Sequence, residues 1–230
     1  MVRSDQGALQ DLLEDQRQPR HLMKATALWQ LPGFKSTDGM KRVLGYILND
    51  WQVSGVWTGA TGTPYDATFS YQNGGSNVNL TGSPDHAARI RLVGDTGGGC
   101  SDNQYAQFTA SAFQGPLVGS TGLESSNNYL TGCFASALDL SLQRDIRLGG
   151  GRSLQLRIDA FNAPNQSLVT GRVTSMTLAS PSDPATIVNN QFNPDGSLNQ
   201  ARARPQNAGF GAANAWQNPR TVQAYIRFKF

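Results

Sequence analysis

The last nine residues of the chain, 222–230, alternate strictly between apolar side chains and polar or amphipathic ones. This period of two predicts a β-strand with two unlike faces, because the side chains of a helix repeat every 3.6 residues. The polar face carries Tyr225, Arg227 and Lys229, as expected of a strand that faces hydrocarbon on one side and a water-filled lumen on the other. A β-sandwich strand can show the same alternation, so the pattern alone leaves both folds open.

The same period recurs in segments 138–148 and 154–161, which Gly149-Gly150-Gly151-Arg152 connects. We expect a hairpin here, because glycine supplies the positive φ angles of tight turns. Arg144 alone interrupts the alternation of the first segment. Two further strands are predicted at 22–31 and 51–60. Between them a helical spacing predicts a short helix, and its apolar residues are Met40, Val43, Leu44, Ile47 and Leu48.

These elements predict an all-β fold: an antiparallel, curved sheet of about five long strands that forms part of a transmembrane β-barrel. The expected boundaries are a loop at 1–20, a strand pair with a short periplasmic helix at 21–62, a long extracellular loop at 63–135, a hairpin at 136–163, a second long extracellular loop at 164–219 and a terminal strand at 220–230. The two long segments are polar and rich in Gly, Pro and Asn, which predicts loops with some strand pieces. Short turns at one end and long loops at the other are typical of outer-membrane barrels.

Aromatic and charged residues fit this placement. Trp29, Trp51, Phe228 and Phe230 would lie near the periplasmic rim, where such barrels carry an aromatic girdle. The charged residues of the polar face would then face the lumen: Lys24, Asp139, Asp145, Arg157, Asp159, Arg227 and Lys229. They could form a solute path or contact a plug. We favour the simpler interpretation of a hydrated wall whose opposite charges pair across neighbouring strands.

Composition narrows the class of protein. The chain is 38% hydrophobic and 15% charged, with 25 Gly among 230 residues. No apolar run approaches the ~20 residues of a membrane helix, and residues 1–15 lack the pattern of a signal peptide. The formal charge of +3 is small and dispersed, which argues against a nucleic-acid partner.

Cys100 and Cys133 are the two cysteines of the sequence. Their spacing fits no metal signature and no histidine lies near them, which leaves a disulfide or two free thiols. We favour the bridge. It would close a loop of about 33 residues, contribute roughly 3–4 kcal/mol to stability and indicate an oxidising compartment.

Several residues of the long loops are candidates for ligand contacts. Arg172, Arg202, Arg204 and Arg220 could attract an anionic ligand, although solvated loop surface is the more common role of such residues. Trp216 and Phe210 could stack on a sugar or an aromatic ligand, but we favour packing within the loop.

Enzymatic and metal chemistry have little support in the sequence. His21 and His86 stand without a nucleophile motif, and Glu14-Asp15 is isolated. Segment 193–197 resembles part of a calcium loop but lacks its alternating acidic ligands and its distal Glu, so we predict a β-turn. We therefore expect no catalytic residue, no metal site and no cofactor.

Six segments, in this order, resemble the C-terminal end of TonB-dependent outer-membrane receptors, and most closely the Oar-like subgroup with a carboxypeptidase-regulatory-like N-terminal domain. The segments are Trp51–Val56, Gly62–Tyr65, Leu138–Leu142, Leu154–Asn165, Phe210–Gly211 and Asn218–Gln223 before the terminal Phe230. The resemblance extends from about residue 20 to the end. Each piece alone is short, and the ordered set carries the resemblance.

The resemblance implies a large barrel of about twenty-two strands, plugged by an N-terminal domain, that imports a scarce solute such as a ferric chelate or a carbohydrate. Five strands cannot close even the smallest single-chain barrel of ~8 strands. We therefore expect the chain to be the C-terminal portion of such a receptor, inactive by itself and located in the outer membrane of a Gram-negative bacterium.

The resemblance also implies partners. They are outer-membrane lipid, an unknown small solute and the barrel-assembly machinery, which would recognise Ile226, Phe228 and Phe230 in the last strand. The TonB complex would act only through the N-terminal plug.

Two alternatives remain open. The first is a secreted or surface-attached β-sandwich used for binding or adhesion, in which the apolar face packs against a second sheet. The second is an oligomeric barrel with strands from several subunits. A sheet with an exposed apolar face favours a barrel, whereas two sheets that share this face favour the sandwich.

Overall fold

The computed structural model describes residues 18–33, 49–72, 79–83, 86–122 and 124–230, together with Gly39 and Gly45. The strands of these residues are β1 Leu22–Gln30, β2 Trp51–Ala60, β3 Pro64–Tyr65, β4 Thr68–Tyr71, β5 Arg91–Leu92, β6 Phe113–Gln114, β7 Leu130–Thr131, β8 Ala135–Gly149, β9 Arg152–Phe161, β10 Val169–Arg172, β11 Ser175–Ser180, β12 Asp183–Ile187, β13 Ala213–Trp216 and β14 Thr221–Lys229. Single 3₁₀ turns span Ala110–Ala112, Gln200–Arg202 and Pro205–Asn207. No helix in the described ranges is both long and apolar enough to cross a membrane.

The chain divides into two compact units. The sheet unit comprises Leu22–Ala60, Ser136–Ser167 and Asn218–Phe230. The loop unit comprises Thr61–Ala135 and Leu168–Gln217, with the described residues that precede Leu22.

The sheet unit is built on one five-stranded antiparallel sheet in the order β1-β2-β8-β9-β14. Strands β1 and β2 pair from Leu22↔Ala60 to Gln30↔Gln52, and β14 pairs with β9 from Thr221↔Phe161 to Lys229↔Ser153. Strands β1 and β14 are the two edges of this sheet. The predicted all-β fold with five long antiparallel strands is confirmed.

Glycines form the turn between β8 and β9. Gly149, Gly150 and Gly151 have φ angles of 85°, 59° and 80°, a left-handed region that disfavours residues with a Cβ. The β8–β9 pairing follows directly, with a register shift between Arg147 and Gly149.

The short helix predicted between β1 and β2 falls largely on residues outside the described ranges. Gly39 and Gly45 are helical, and the amide of Asn49 donates a 3.0 Å hydrogen bond to the carbonyl of Gly45. The apolar residues on which that prediction rests lie outside the described residues: Met40, Val43, Leu44, Ile47 and Leu48.

The register places the points at which both long segments join the sheet at one end of it. Ala60 and Phe161, at the ends of β2 and β9, lie opposite Leu22 and Thr221. The connection between β1 and β2 and the glycine turn lie at the other end. Each long segment therefore leaves the sheet and returns to it at one end, between strands that are neighbours in the sheet.

The loop unit has a hydrophobic core of its own, which the polar composition of its two segments does not predict. The buried residues of this core are Ala67, Tyr71, Leu80, Ile90, Phe108, Ala112, Phe113, Leu130, Met176, Leu178 and Phe210. Strand β4 of the first segment pairs in parallel with β11 of the second, from Ser175↔Thr68 to Leu178↔Tyr71. The segments that were expected to be mainly loops therefore fold together around a shared apolar centre.

Candidate functional site

One face of the five-stranded sheet is apolar. The register brings its residues into rows across neighbouring strands: Met23, Ala25, Ala27, Trp29, Val53, Trp57, Leu140, Leu142, Ile146, Leu154, Leu156, Ile158, Ala160, Val222, Ala224, Ile226 and Phe228. The same face continues from β2 to β8. A Cβ built on Gly55 of β2 would lie 3.1 Å from Cδ2 of Leu140 on β8, so both positions are on one side of the sheet. We call this surface the apolar face.

The apolar face is exposed at both edges of the sheet. Trp29 is 64% exposed, Val222 59% and Ile226 73%. Large exposed apolar patches mark interaction surfaces or a membrane interface. In a β-sandwich these side chains would be buried against a second sheet, so their exposure argues against the sandwich alternative.

Arg144 is the charged residue that the register places on the apolar face, opposite Leu156. Its guanidinium carbon lies 5.6 Å from the centre of the Trp51 ring. This distance fits a cation–π contact. The interruption in the sequence pattern is thus a charge that is partnered by an aromatic ring of the adjacent strand.

The four residues of the predicted aromatic girdle lie towards the end of the sheet that carries the glycine turn. Trp29 is in the last two residues of β1, and Trp51 begins β2. Phe228 and Phe230 close the chain, with their ring centres 6.1 Å apart. This placement agrees with the expectation of one aromatic rim, which remains a prediction because no lipid boundary is defined.

The opposite face of the sheet is mostly polar. All residues predicted to face a lumen belong to it by register and alternation: Lys24, Asp139, Asp145, Arg157, Asp159, Arg227 and Lys229. Leu22, Leu28 and Phe161 interrupt this face, which explains why the alternation of β1 is less regular than that of β14.

Asp159 is the centre of a hydrogen-bonded cluster on the polar face. The residue is buried, at 5% exposure. The Nε atom of Arg157 donates to Asp159 Oδ1 at 2.8 Å, and the hydroxyl of Tyr225 donates to Oδ2. The guanidinium of Arg157 also lies 5.5 Å from the centre of the Tyr225 ring. A buried carboxylate is stable only with such partners.

The pairing of charges differs from the expected pattern. Among the described residues of the sheet, the ion pair runs along β9, from Arg157 to Asp159, and not between strands. The register explains this, because the residues directly opposite Asp159 are Ser141 and Gln223. Asp139 instead accepts a 2.9 Å hydrogen bond from the amide of Asn162.

The loop unit contains the predicted disulfide. Cys100 and Cys133 are bonded, with Cα atoms 5.0 Å apart. Tyr65 lies beside the bridge and donates its hydroxyl proton to the carbonyl of Gly99 at 2.6 Å. Burial raises the pKa of Tyr65 to about 12, although the nearby Arg172 lowers it in part. The bridge and this partly buried phenol connect parts of the first segment of the loop unit.

The arginines proposed as a ligand patch have separate environments. Arg172 lies 5.3 Å from the centre of the Tyr65 ring and donates to Cys133 Sγ at 3.3 Å. Arg202 donates to the carbonyl of Val188 at 3.2 Å. Arg202 and Arg204 line a cavity of only about 30 Å³ with Trp216. Arg220 belongs to the sheet unit and donates to the carbonyl of Ala163 at 3.4 Å.

A larger cavity in the loop unit, of about 620 Å³, involves none of these residues. We call it the neutral cavity. Its polar side chains are Ser101, Gln107, Thr109, Ser111 and Asn190, and its aromatic ones are Tyr105, Phe108, Phe192 and Phe210. The described residues that line it include no Asp, Glu, Lys, Arg or His. Of these nine residues the sequence singled out only Phe210, because they come from two separate segments without any periodic pattern.

The predicted turn at 193–197 is present and forms part of the neutral cavity. The amide of Gly196 donates to the carbonyl of Asn193 at 2.9 Å, and Gly196 lines the cavity. Hydrogen bonds from Ser197 lower the pKa of Asp195. Within the described residues, no group of three or more His, Cys, Asp or Glu side chains could hold a metal ion.

The comparisons with known proteins agree with the geometry of the sheet. A family described as outer membrane beta barrel domain matches residues 11–223. Neither the curated proteins nor the solved structures gave a match.

Proposed function

Because the chain belongs to the family of outer membrane beta barrel domains, we propose that it forms the C-terminal portion of a TonB-dependent receptor that takes up a scarce solute. Its location in the outer membrane follows from the family itself. The finer proposal rests on the ordered segments that resemble TonB-dependent receptors. The remaining strands and the plug would come from outside this sequence, so the five strands alone transport nothing.

The contrast between the two faces of the sheet is the observation that carries the proposal. The exposed apolar face provides a lipid-facing surface, and the opposite face holds a buried carboxylate with its partners Arg157 and Tyr225. A transmembrane barrel strand needs this combination, because it contacts hydrocarbon outside and water inside.

The topology supports an orientation in the membrane. Bacterial outer-membrane barrels have short periplasmic turns and long extracellular loops. The glycine turn at 149–151 would then be periplasmic, and segments 61–135 and 168–217 would be extracellular. A disulfide in the first of these segments agrees with an oxidising environment.

Cysteine labelling in intact cells tests this orientation. Arg152→Cys lies beside the glycine turn, and Gln206→Cys lies on an exposed part of the second long segment. Because Cys100 and Cys133 are bonded, each new thiol is the one available for labelling. A membrane-impermeant maleimide should label Gln206→Cys in intact cells and Arg152→Cys only after the outer membrane is opened. Labelling of both variants in intact cells would contradict the orientation.

Uptake measurements test the TonB dependence. We would delete the gene that encodes this sequence and, separately, the tonB gene, and follow the depletion of ferric chelates and of neutral and acidic oligosaccharides from the medium. Both single-deletion strains should fail to take up the same solute, and the double deletion should not reduce its uptake further. If every solute is taken up normally without this gene, or if its solute still enters without tonB, the proposal is wrong.

A further inference from the structure

The neutral cavity has the size and composition of a ligand site. Small-molecule pockets typically occupy about 300–1,000 Å³ and combine apolar walls with a few well-placed polar groups. The neutral cavity measures about 620 Å³ and combines aromatic rings with hydroxyl and amide groups. Its chemistry therefore indicates the kind of ligand that it can hold.

The walls of the cavity are fixed by the fold before any ligand arrives. The side chain of Gln107 is fully buried, and its Nε2 atom donates to the carbonyls of Ser101 and Asn103 at 2.6 and 3.0 Å. The amide of Gln107 donates to the carbonyl of Gly211 at 2.7 Å. Ser101 follows the disulfide-bonded Cys100. A preformed site loses little conformational entropy on binding.

Aromatic packing supports the floor of the cavity. Phe108 lies with its ring centre 5.0 Å from that of Phe210 and 5.2 Å from that of Phe113. Phe108 and Phe210 are almost completely buried, whereas Tyr105 and Phe192 are only half-buried. The two half-buried rings are thus available to pack against a flat ligand.

Hydrogen-bonding capacity remains in the wall. The side-chain oxygen of Asn190 is buried and has no hydrogen-bond partner among the described residues. An unpaired buried acceptor is energetically unfavourable. Asn190 lines the neutral cavity, so this oxygen is a candidate acceptor for a hydrogen bond from a ligand hydroxyl.

The charges near the cavity disfavour anions. No cationic side chain is among the described residues that line it. Asp195 adjoins Gly196 in the wall, and Asp95 accepts a 2.9 Å hydrogen bond from the amide of Gly97, which also lines the cavity. An anionic ligand such as a ferric polycarboxylate would find no compensating cation among these lining residues.

We propose that the neutral cavity binds an uncharged, polyhydroxylated ligand, with a short neutral oligosaccharide as its simplest representative. The C–H faces of such sugars pack on aromatic rings, and their hydroxyls can donate to and accept from amides and hydroxyls. If this ligand is the solute that the receptor takes up, the inference also rests on the proposed function. Binding itself can be measured without transport.

Binding to the full chain, isolated from outer membranes in detergent, tests the inference. The probes are an array of neutral oligosaccharides, an array of uronic-acid oligosaccharides, and ferric citrate. At least one neutral oligosaccharide should bind, and the uronic acids and ferric citrate should not. Heat-dependent gel mobility shows that each preparation is folded.

Two variants locate the site. Phe192→Ala removes a half-buried ring of the cavity and should weaken binding about five- to ten-fold. Phe134→Ala is the matched control, because Phe134 is an exposed aromatic residue of the loop unit outside the cavity, and it should change affinity less than twofold.

The outcomes separate this inference from the proposed function. If no neutral oligosaccharide binds the folded chain, or if Phe192→Ala and Phe134→Ala weaken binding equally, the inference is wrong, whatever the uptake measurements show. If the uronic-acid oligosaccharides or ferric citrate bind to the unaltered chain as tightly as the neutral oligosaccharides do, the inference is also wrong. If binding is as expected but uptake does not depend on tonB, the inference about the ligand is supported and the proposed function is wrong.

Discussion

Removal of the disulfide should destabilise the loop unit by several kilocalories per mole. Cys100 and Cys133 are 33 residues apart, and the chain-entropy model assigns about 3.7 kcal/mol at 25 °C to a bridge that closes a loop of this length. With an m-value of ~2 kcal/mol/M, this corresponds to a decrease of roughly 2 M in the urea midpoint. The perturbation is the double variant Cys100→Ala and Cys133→Ala.

Tryptophan fluorescence can follow this transition separately. Trp216 is the tryptophan of the loop unit, whereas Trp29, Trp51 and Trp57 belong to the sheet unit. The difference in emission between the protein and its Trp216→Phe variant therefore reports the loop unit. Reduction of the unaltered protein should lower the midpoint in the same way, and the double alanine variant should not respond to reductant.

A small effect would refute the reasoning. If the midpoint moves by less than ~0.5 M, the bridge does not act by closing a flexible loop of the unfolded chain. If the double variant is less stable than the reduced protein by more than ~1 kcal/mol, packing of the sulfur atoms against Arg172 would account for part of the stability.

Three further results are expected. Gly62→Ala should destabilise the loop unit by about 1–3 kcal/mol in urea unfolding, because the added Cβ would lie 1.6 Å from the carbonyl oxygen of Gly132. The control Gly94→Ala, whose added Cβ would have its nearest contact at 3.8 Å, should be tolerated. Equal urea midpoints for the two variants would contradict this prediction. Burial raises the pKa of Tyr65 and of Tyr129 to about 12, so the folded state keeps these protons to a higher pH than the unfolded state does. The contribution of these two residues to the free energy of unfolding should therefore be fully present below pH 10 and decrease as the pH rises from 10 to 12. Absorbance titration at 295 nm should accordingly show at least two late-ionising tyrosines, and ionisation of all tyrosines near pH 10 would disprove this. Deletion of Phe230 should lower the amount of folded protein in the outer membrane several-fold, measured by heat-dependent gel mobility, while an unchanged amount would exclude the terminal aromatic as an assembly signal.

The sheet could be predicted from the sequence because neighbouring residues in the chain carry the signals for its strands and its turn. A period of two along Val222–Phe230 specifies both the strand and its faces, and the glycines at 149–151 specify the hairpin. Arg144 was visible as an interruption of the pattern. Its partner, Trp51, was not predictable, because it lies on a neighbouring strand nearly a hundred residues earlier.

The loop unit could not be predicted in the same way because its contacts are non-local. Strand β4 pairs with β11, and Phe108 packs on Phe210, so residues about a hundred positions apart make one core. Short strands of two to six residues give no periodic signal. The disulfide was an exception, since two cysteines without metal-ligand spacing leave few possibilities.

The candidate ligand residues show the same limit. Sequence reasoning selected arginines because charge is visible in a sequence, yet Arg172 contacts Tyr65 and Arg202 bonds to a backbone carbonyl. The neutral cavity is lined by serine, glutamine, asparagine and aromatic residues, whose role depends on the position of the backbone and not on a motif.

The sheet order also has a consequence for evolution and engineering. Strands β2 and β8, and likewise β9 and β14, are direct neighbours, so hydrogen-bonded strands hold both ends of each long segment side by side. Because the entropy of closing a loop grows only with the logarithm of its length, insertions into these segments are inexpensive for the sheet. Related chains can therefore exchange the two segments as a pair and acquire a new specificity, while the transmembrane wall stays the same.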